Sequence, residues 1–177
     1  MGTITETERE TAIHLLESRK EMLLASIAGL SQDEWCFKPD SECWSIAEIV
    51  EHLAVVETLV MALIPQVLTS EPITETIESN DLPMQTRVAG RRNRVQAAER
   101  VRPTGQCLEE KELIAAFCAA RDKTIAYTRS TQDDLRHHAG SHPTLGPMDG
   151  YQWLLFLAAH TERHIAQIRE VQALSSR

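Results

Sequence analysis

Apolar residues recur every three or four positions along four separate stretches of this chain, a periodicity that only amphipathic α-helices satisfy. The first stretch runs from about Thr5 to Ala28 and places Ala12, Leu15, Leu16, Leu23 and Ile27 on one stripe. The second opens on Ser45 with Glu48 three residues on, the reciprocal capping pattern that starts a helix. Its apolar face is Ile49, Leu53, Val56, Val60 and Leu63; Pro65 is expected to kink or end it near Ile64, although the pattern persists to Leu68. The third spans about Glu109 to Ser130, and the fourth about Tyr151 to Leu174 with Asp149 as its N-cap. Alternating β-branched runs, internal repeats and low-complexity tracts are absent, so the expected fold is all-α, a single domain over residues 1–177.

The connections decide between bundle topologies. Residues 69–106 are too many for a tight hairpin between the second and third helices. A long crossover fits, and it makes those two helices parallel, giving a four-helix bundle with a long central connection. That span is also long for a structureless loop, so it is expected to hold a short helix or to form a lid. Its second half is basic, with Arg87, Arg91, Arg92, Arg94, Arg100 and Arg102 against Glu99. Two readings stand: a solvated or ion-paired face, or recognition of a substrate carboxylate. Ahead of the second helix, Ser31 and Glu34 can cap one short turn in a connector that contains Pro39, Trp35 and Trp44.

Eighteen Lys plus Arg against 26 Asp plus Glu leave a net charge of −8, which disfavours a general nucleic-acid binder. No apolar run approaches the ~18 residues of a membrane span, and the N-terminus has no basic-then-apolar export pattern. The expectation is a cytoplasmic protein without nucleic-acid or membrane partners. Cys36, Cys43, Cys107 and Cys118 lack C-x-x-C spacing, so reduced thiols are expected, with neither a zinc knuckle nor a redox pair. Cys118, in an apolar helical stretch, reads as a small buried hydrophobe.

The chemical signal lies in the fourth helix, as His160-Thr-Glu-Arg-His164. Two His four apart put their Cβ atoms about 5–6 Å apart on one face, within reach of one ion at ~2.0–2.1 Å from each ring. Trp153, Phe156, Leu157 and Ile168 mark that face as the apolar one. Two adjacent imidazoles inside a bundle need partners for four polar nitrogens. A metal ion and a pair of satisfied core histidines both answer that need. Thr161 stands where a zinc protease requires glutamate, so the H-E-x-x-H reading is rejected. His52, between Ile49 and Val56 on the second helix, also faces inward and offers a third donor.

Two stretches resemble one known family. Lys38-Pro39 followed by Trp44-Ser45-Ile46-Ala47-Glu48-Ile49-Val50-Glu51-His52-Leu53 is similar to the K-P…W-S-x-x-E-x-x-x-H-L entry into the second helix of the DinB-like superfamily. His160-x-x-x-His164-Ile165-Ala166-Gln167-Ile168 is similar to that family's H-x-x-x-H-x-x-Q-I. The match is nearest to the YfiT-like branch of metal-dependent hydrolases and thiol transferases. The resemblance implies an up-down-down-up bundle, often a homodimer, with zinc, nickel or a similar divalent ion on His52, His160 and His164.

The expected function is a divalent-metal-dependent enzyme activating water or a cellular low-molecular-weight thiol toward a small-molecule substrate, as a hydrolase or S-transferase. Thiol transfer is favoured because no carboxylate is placed as a general base. The alternatives are a non-catalytic, dimeric metal-binding stress-response bundle and an interaction module with a vestigial site. Glu48 reads as the helix cap or as a support for His52, and Gln167 as a support for the site or a surface residue. Trp44 and Trp153 are expected to pack the bundle ends. His137, His138 and His142 are expected in a solvated loop before the fourth helix, with a proton donor at the site mouth as the other reading. His14 is expected outside the site.

Overall fold

The computed structural model describes residues 4–73, 81–90 and 96–175. Six α-helices are present there: α1 (Glu6–Ile27), α2 (Gln32–Cys36), α3 (Ile46–Leu68), α4 (Asp81–Ala89), α5 (Glu110–Ser130) and α6 (Gly150–Ser175). Helices α1, α3, α5 and α6 are the four periodic stretches, and local chemistry fixes their starts. Reciprocal capping boxes open α1 at Thr5 and Glu8, α2 at Ser31 and Glu34, and α3 at Ser45 and Glu48. Asp149 caps α6, accepting from the Gln152 N–H at 2.7 Å.

Helix α3 does not end at Ile64; it continues through Pro65 to Leu68. The last turn is held by packing, because Val67 is buried beneath the segment that precedes α6. That segment is a second departure from expectation. It forms a two-stranded antiparallel hairpin, β1 (Ala139–His142) and β2 (Gly146–Asp149), with Ala139 opposite Asp149 and His142 opposite Gly146. Strands this short and this poor in β-branched residues carry no alternation to read. What holds the hairpin is its seat on the bundle, with Met148 buried and Gly140 against Val67.

In the four-helix frame, α1 packs on α5 and α6, and α3 packs on the same two. Directions follow from the cross-helix contacts. Arg9 reaches the Thr131 carbonyl and Lys20 pairs with Asp122, so α1 and α5 are antiparallel. Tyr151 meets Glu8, Arg19 meets Glu162 and Gln172 meets Ser26, so α1 and α6 are parallel. His52 lies by His160 while Val67 lies by Trp153, so α3 and α6 are antiparallel. The order is up-down-down-up, and the two central helices run the same way, as a long crossover requires. Within that crossover are α4, packed on α6, and a 3-10 turn (Glu99–Val101) beside α3.

The core falls into two apolar clusters. One gathers Leu16, Val60, Ile64, Leu154 and Leu157; the other gathers Leu23, Trp35, Ile49, Leu53, Phe117 and Ile168. A charged pair is buried in the same helix interior. Arg121, with no exposed surface, grips Glu57 through two 2.8 Å hydrogen bonds. Its other contacts go to the Leu16 and Leu157 carbonyls and the Thr161 hydroxyl, so every guanidinium nitrogen has an acceptor. A second arginine, Arg136, ties Glu8, Asp81 and Asp149 together and lies 4.2 Å over the Tyr151 ring, joining the starts of α1, α4 and α6.

The cysteines correct the expectation of reduced thiols. Cys36 and Cys107 form a disulfide, their Cα atoms 5.5 Å apart across 71 residues of sequence. The fold brings α2 against the end of the crossover, a proximity that spacing does not encode. Cys43 and Cys118 form no disulfide, each is partly buried, and Cys118 packs on the apolar cluster around Phe117. Among the described residues no helix is long and apolar enough to cross a membrane.

Candidate metal centre

Helix α3 brings His52 inward about two turns past its capped start, and α6 brings His160 and His164 to the same level from the opposite direction. The Nε2 atom of His160 stands 3.3 Å from Nε2 of His52 and 3.2 Å from Nε2 of His164. Potential donor atoms of all three lie within 4.8 Å of one another. Two nitrogens at ~2.0–2.1 Å from a tetrahedral ion are about 3.3–3.4 Å apart, so the two observed separations suit zinc-type coordination.

The outer ring nitrogens are engaged in a way that frees the inner ones. His52 Nδ1 is 2.6 Å from the Val101 carbonyl oxygen, an acceptor only, so the ring proton sits on Nδ1 and Nε2 keeps its lone pair. His164 Nδ1 is 2.9 Å from Gln167 Oε1, and donation to that oxygen leaves His164 Nε2 in the same state. Burial lowers the His52 pKa, opposed by the bond to Val101. His160 is held well below the ordinary value by burial first, then by His164 and His52. Neutral imidazole is the ligating form.

Aromatic rings wall the cluster. Trp44 sits 4.8 Å from the His52 ring and stacks at 6.2 Å on His164, while Phe156 stacks on His160 at 5.2 Å. Trp44 therefore does more than close a bundle end. The hairpin adds His142, 5.1 Å from Phe156, its pKa lowered by burial and by Arg100. His142 Nδ1 accepts from the Thr144 and Leu145 N–H groups, which places its proton on Nε2.

Other candidate residues lie elsewhere. Glu48 is occupied by the Ser45 N–H and by Lys38 at 3.0 Å, and among the described residues it makes no hydrogen bond to His52. The support expected from Glu48 comes instead from a backbone carbonyl, which no side-chain pattern reveals. His137 pairs with Asp134, His138 bonds the Ser70 carbonyl, and His14 is exposed on α1. Of the arginine group, Arg87, Arg100 and Arg102 are exposed, and Arg102 bonds the Ala97 carbonyl. Arg91, Arg92 and Arg94 lie outside the described residues.

The model of the DinB superfamily matches residues 14–168, nearly the whole bundle. The chain belongs to the DinB superfamily. A curated member-like relative, the uncharacterized protein YuaE of Bacillus subtilis (strain 168), is 23% identical over 146 residues, covering 82% of this chain and 88% of YuaE. Among solved structures, YfiT from Bacillus subtilis superposes with a TM-score of 0.65 at 17% identity, covering 99% of this chain and 92% of YfiT. YfiT is described as a probable metal-dependent hydrolase with an unusual four-helix bundle topology. At that identity the likeness extends to the fold, and this DinB superfamily chain shares the bundle.

Proposed function

We propose that this DinB superfamily protein is a divalent-metal-dependent enzyme whose ion is held by His52, His160 and His164. The observation that carries the reading is the convergence of three imidazoles, two of them with Nδ1 committed to oxygen acceptors. YfiT's description as a probable metal-dependent hydrolase supports it. Three neutral nitrogen donors suit zinc or nickel, and three protein ligands leave an open coordination position. A bound divalent ion supplies full positive charge at that position and lowers the pKa of a water or thiol there to near neutrality.

The surrounding residues favour a low-molecular-weight thiol as nucleophile over water. Hydrolysis draws on a nearby carboxylate to take the water's proton. Here Glu48 caps α3, Glu51 accepts from Thr104, Glu57 is bound by Arg121 and Glu162 by Arg19. Trp44 and Phe156 give apolar walls that exclude water and suit the body of a small organic substrate. The reading is therefore S-transfer to a small electrophile.

The test is a conjugation assay with several cellular thiols and an aryl halide, run beside an aryl ester hydrolysis assay. Metal-loaded protein is expected to conjugate thiol, and chelator-stripped protein to lose that rate and regain it on reloading. Conjugation unchanged by stripping contradicts the reading, and ester hydrolysis alone redirects it to water.

A further inference from the structure

Residues 99–108 form a strap across the N-terminal half of α3. Four links hold it down. The Val101 carbonyl accepts from His52 Nδ1 at 2.6 Å, and the Thr104 N–H donates to both Glu51 carboxylate oxygens at 3.1 Å. Leu108 accepts from the buried Trp35 indole N–H at 3.0 Å. The fourth link is covalent: Cys107 joins Cys36 at the end of α2. Gly105, between the second and fourth links, has φ +79, a left-handed turn that glycine takes without strain and that brings the chain back toward α2.

The disulfide is placed for exchange. Cys107 is exposed and Cys36 is partly buried, and the Gln32 amide lies 3.2 Å from Cys36 Sγ and 3.7 Å from Cys107 Sγ. A thiolate from solution reaches the Cys107 sulfur, while Cys36 is the leaving group that remains beside the Gln32 donor. We propose that the Cys36–Cys107 pair is a thiol–disulfide exchange site for low-molecular-weight thiols, and that its state sets how firmly the strap holds His52. In the first step an external thiolate attacks Cys107 Sγ; the Cys36–Cys107 bond breaks and Cys36 leaves as thiolate. A second external thiolate then attacks the sulfur of the first, releasing Cys107 as thiolate. Two external thiols are oxidised to one disulfide, and the protein disulfide is reduced to two thiols.

With the covalent link to α2 open, hydrogen-bonded links remain to His52 and Glu51 on α3 and to Trp35 on α2, so the strap separates from α3 more often. Val101 then holds the His52 ring less of the time. The consequence for metal affinity rests on the three-His reading above; the exchange chemistry does not.

The experiment uses the full chain in glutathione redox buffers. Alkylation under denaturing conditions with intact-mass readout is expected to count two free thiols in oxidising buffer and four in reducing buffer. Zinc competition against a chromophoric chelator is then run on the oxidised protein and on a Cys36→Ser/Cys107→Ser variant. The variant is expected to bind zinc about tenfold more weakly, the scale of losing a support to a ligating His. The His52 Nδ1 proton resonance is expected in the oxidised protein and broadened in the variant, with the His164 Nδ1 proton unchanged. Four alkylated thiols in the most oxidising buffer overturn the proposal, as does equal zinc affinity with an unchanged His52 resonance. If neither protein binds zinc, the metal reading falls; the thiol count and the His52 resonance still decide the exchange site and its strap.

Discussion

Gln167 sits one turn beyond His164 on α6, with its Oε1 2.9 Å from the His164 Nδ1, so each approach of a metal ion to His164 is made against a ring already oriented by that amide. Loss of an outer-sphere acceptor of this kind costs about 10–100-fold in metal affinity. Gln167→Leu is expected to weaken zinc binding within that range and leave the helical circular dichroism unchanged. Gln167→Glu, which keeps the acceptor, is expected to retain affinity. Chelator competition checks both.

The Arg121–Glu57 pair is expected to behave as a buried ion pair whose halves cannot be removed singly. Arg121→Leu strands a carboxylate that is buried with it, at about 3–5 kcal/mol of stability. Adding Glu57→Leu removes the stranded charge and is expected to recover most of that loss. Urea denaturation of the two single variants and the double variant reads the difference.

Gly140→Ala tests the seat of the hairpin. A Cβ there would lie 2.7 Å from Val67 Cγ2, too close for a packed contact. Overpacking at such a position costs about 1–3 kcal/mol. The expected outcome is a lower Tm that Gly140→Ala combined with Val67→Ala partly restores, because the obstructing methyl is gone.

Burial keeps His52 and His160 neutral in the folded protein at pH values where an unfolded chain binds protons. Their folded values lie below the unfolded value of about 6.5, so stability is full above that pH and falls as pH drops beneath it. The slope is about 1.4 kcal/mol per pH unit for each ring titrating only in the unfolded chain. Asp149, pushed up to about 6 mainly by burial, acts in the opposite sense: its contribution is present at low pH and fades as pH rises through its folded value. Urea midpoints of metal-free protein are therefore expected to be flat from about pH 8 to 7 and to decline toward pH 6. A flat midpoint across that whole range contradicts the buried, neutral rings.

What the sequence makes legible is local or periodic. The Ser45–Glu48 box and the Asp149 cap are decided within four residues, and the apolar stripes of α1, α3, α5 and α6 are read from spacing alone. His52, His160 and His164 are legible because imidazoles on an apolar face are unusual and because two motifs resemble those of a family. The remainder depends on distant contacts. Val101 supports His52 through a carbonyl that every residue possesses, so its identity carries no signal. Glu57 and Arg121 look like any surface charges until the fold buries them face to face. Cys36 and Cys107 meet only because the crossover returns past α2, and β1 and β2 exist only because Gly140 and Met148 fit the bundle's end.

The central claim is that His52, His160 and His164 hold one divalent ion, and metal content per chain tests it most directly. Protein purified without a polyhistidine tag and saturated with zinc, then desalted, is expected to retain one ion per chain. The single His52→Ala, His160→Ala and His164→Ala variants are expected to lose most of it, and the triple variant all of it. One ion per chain retained by the triple variant contradicts the account.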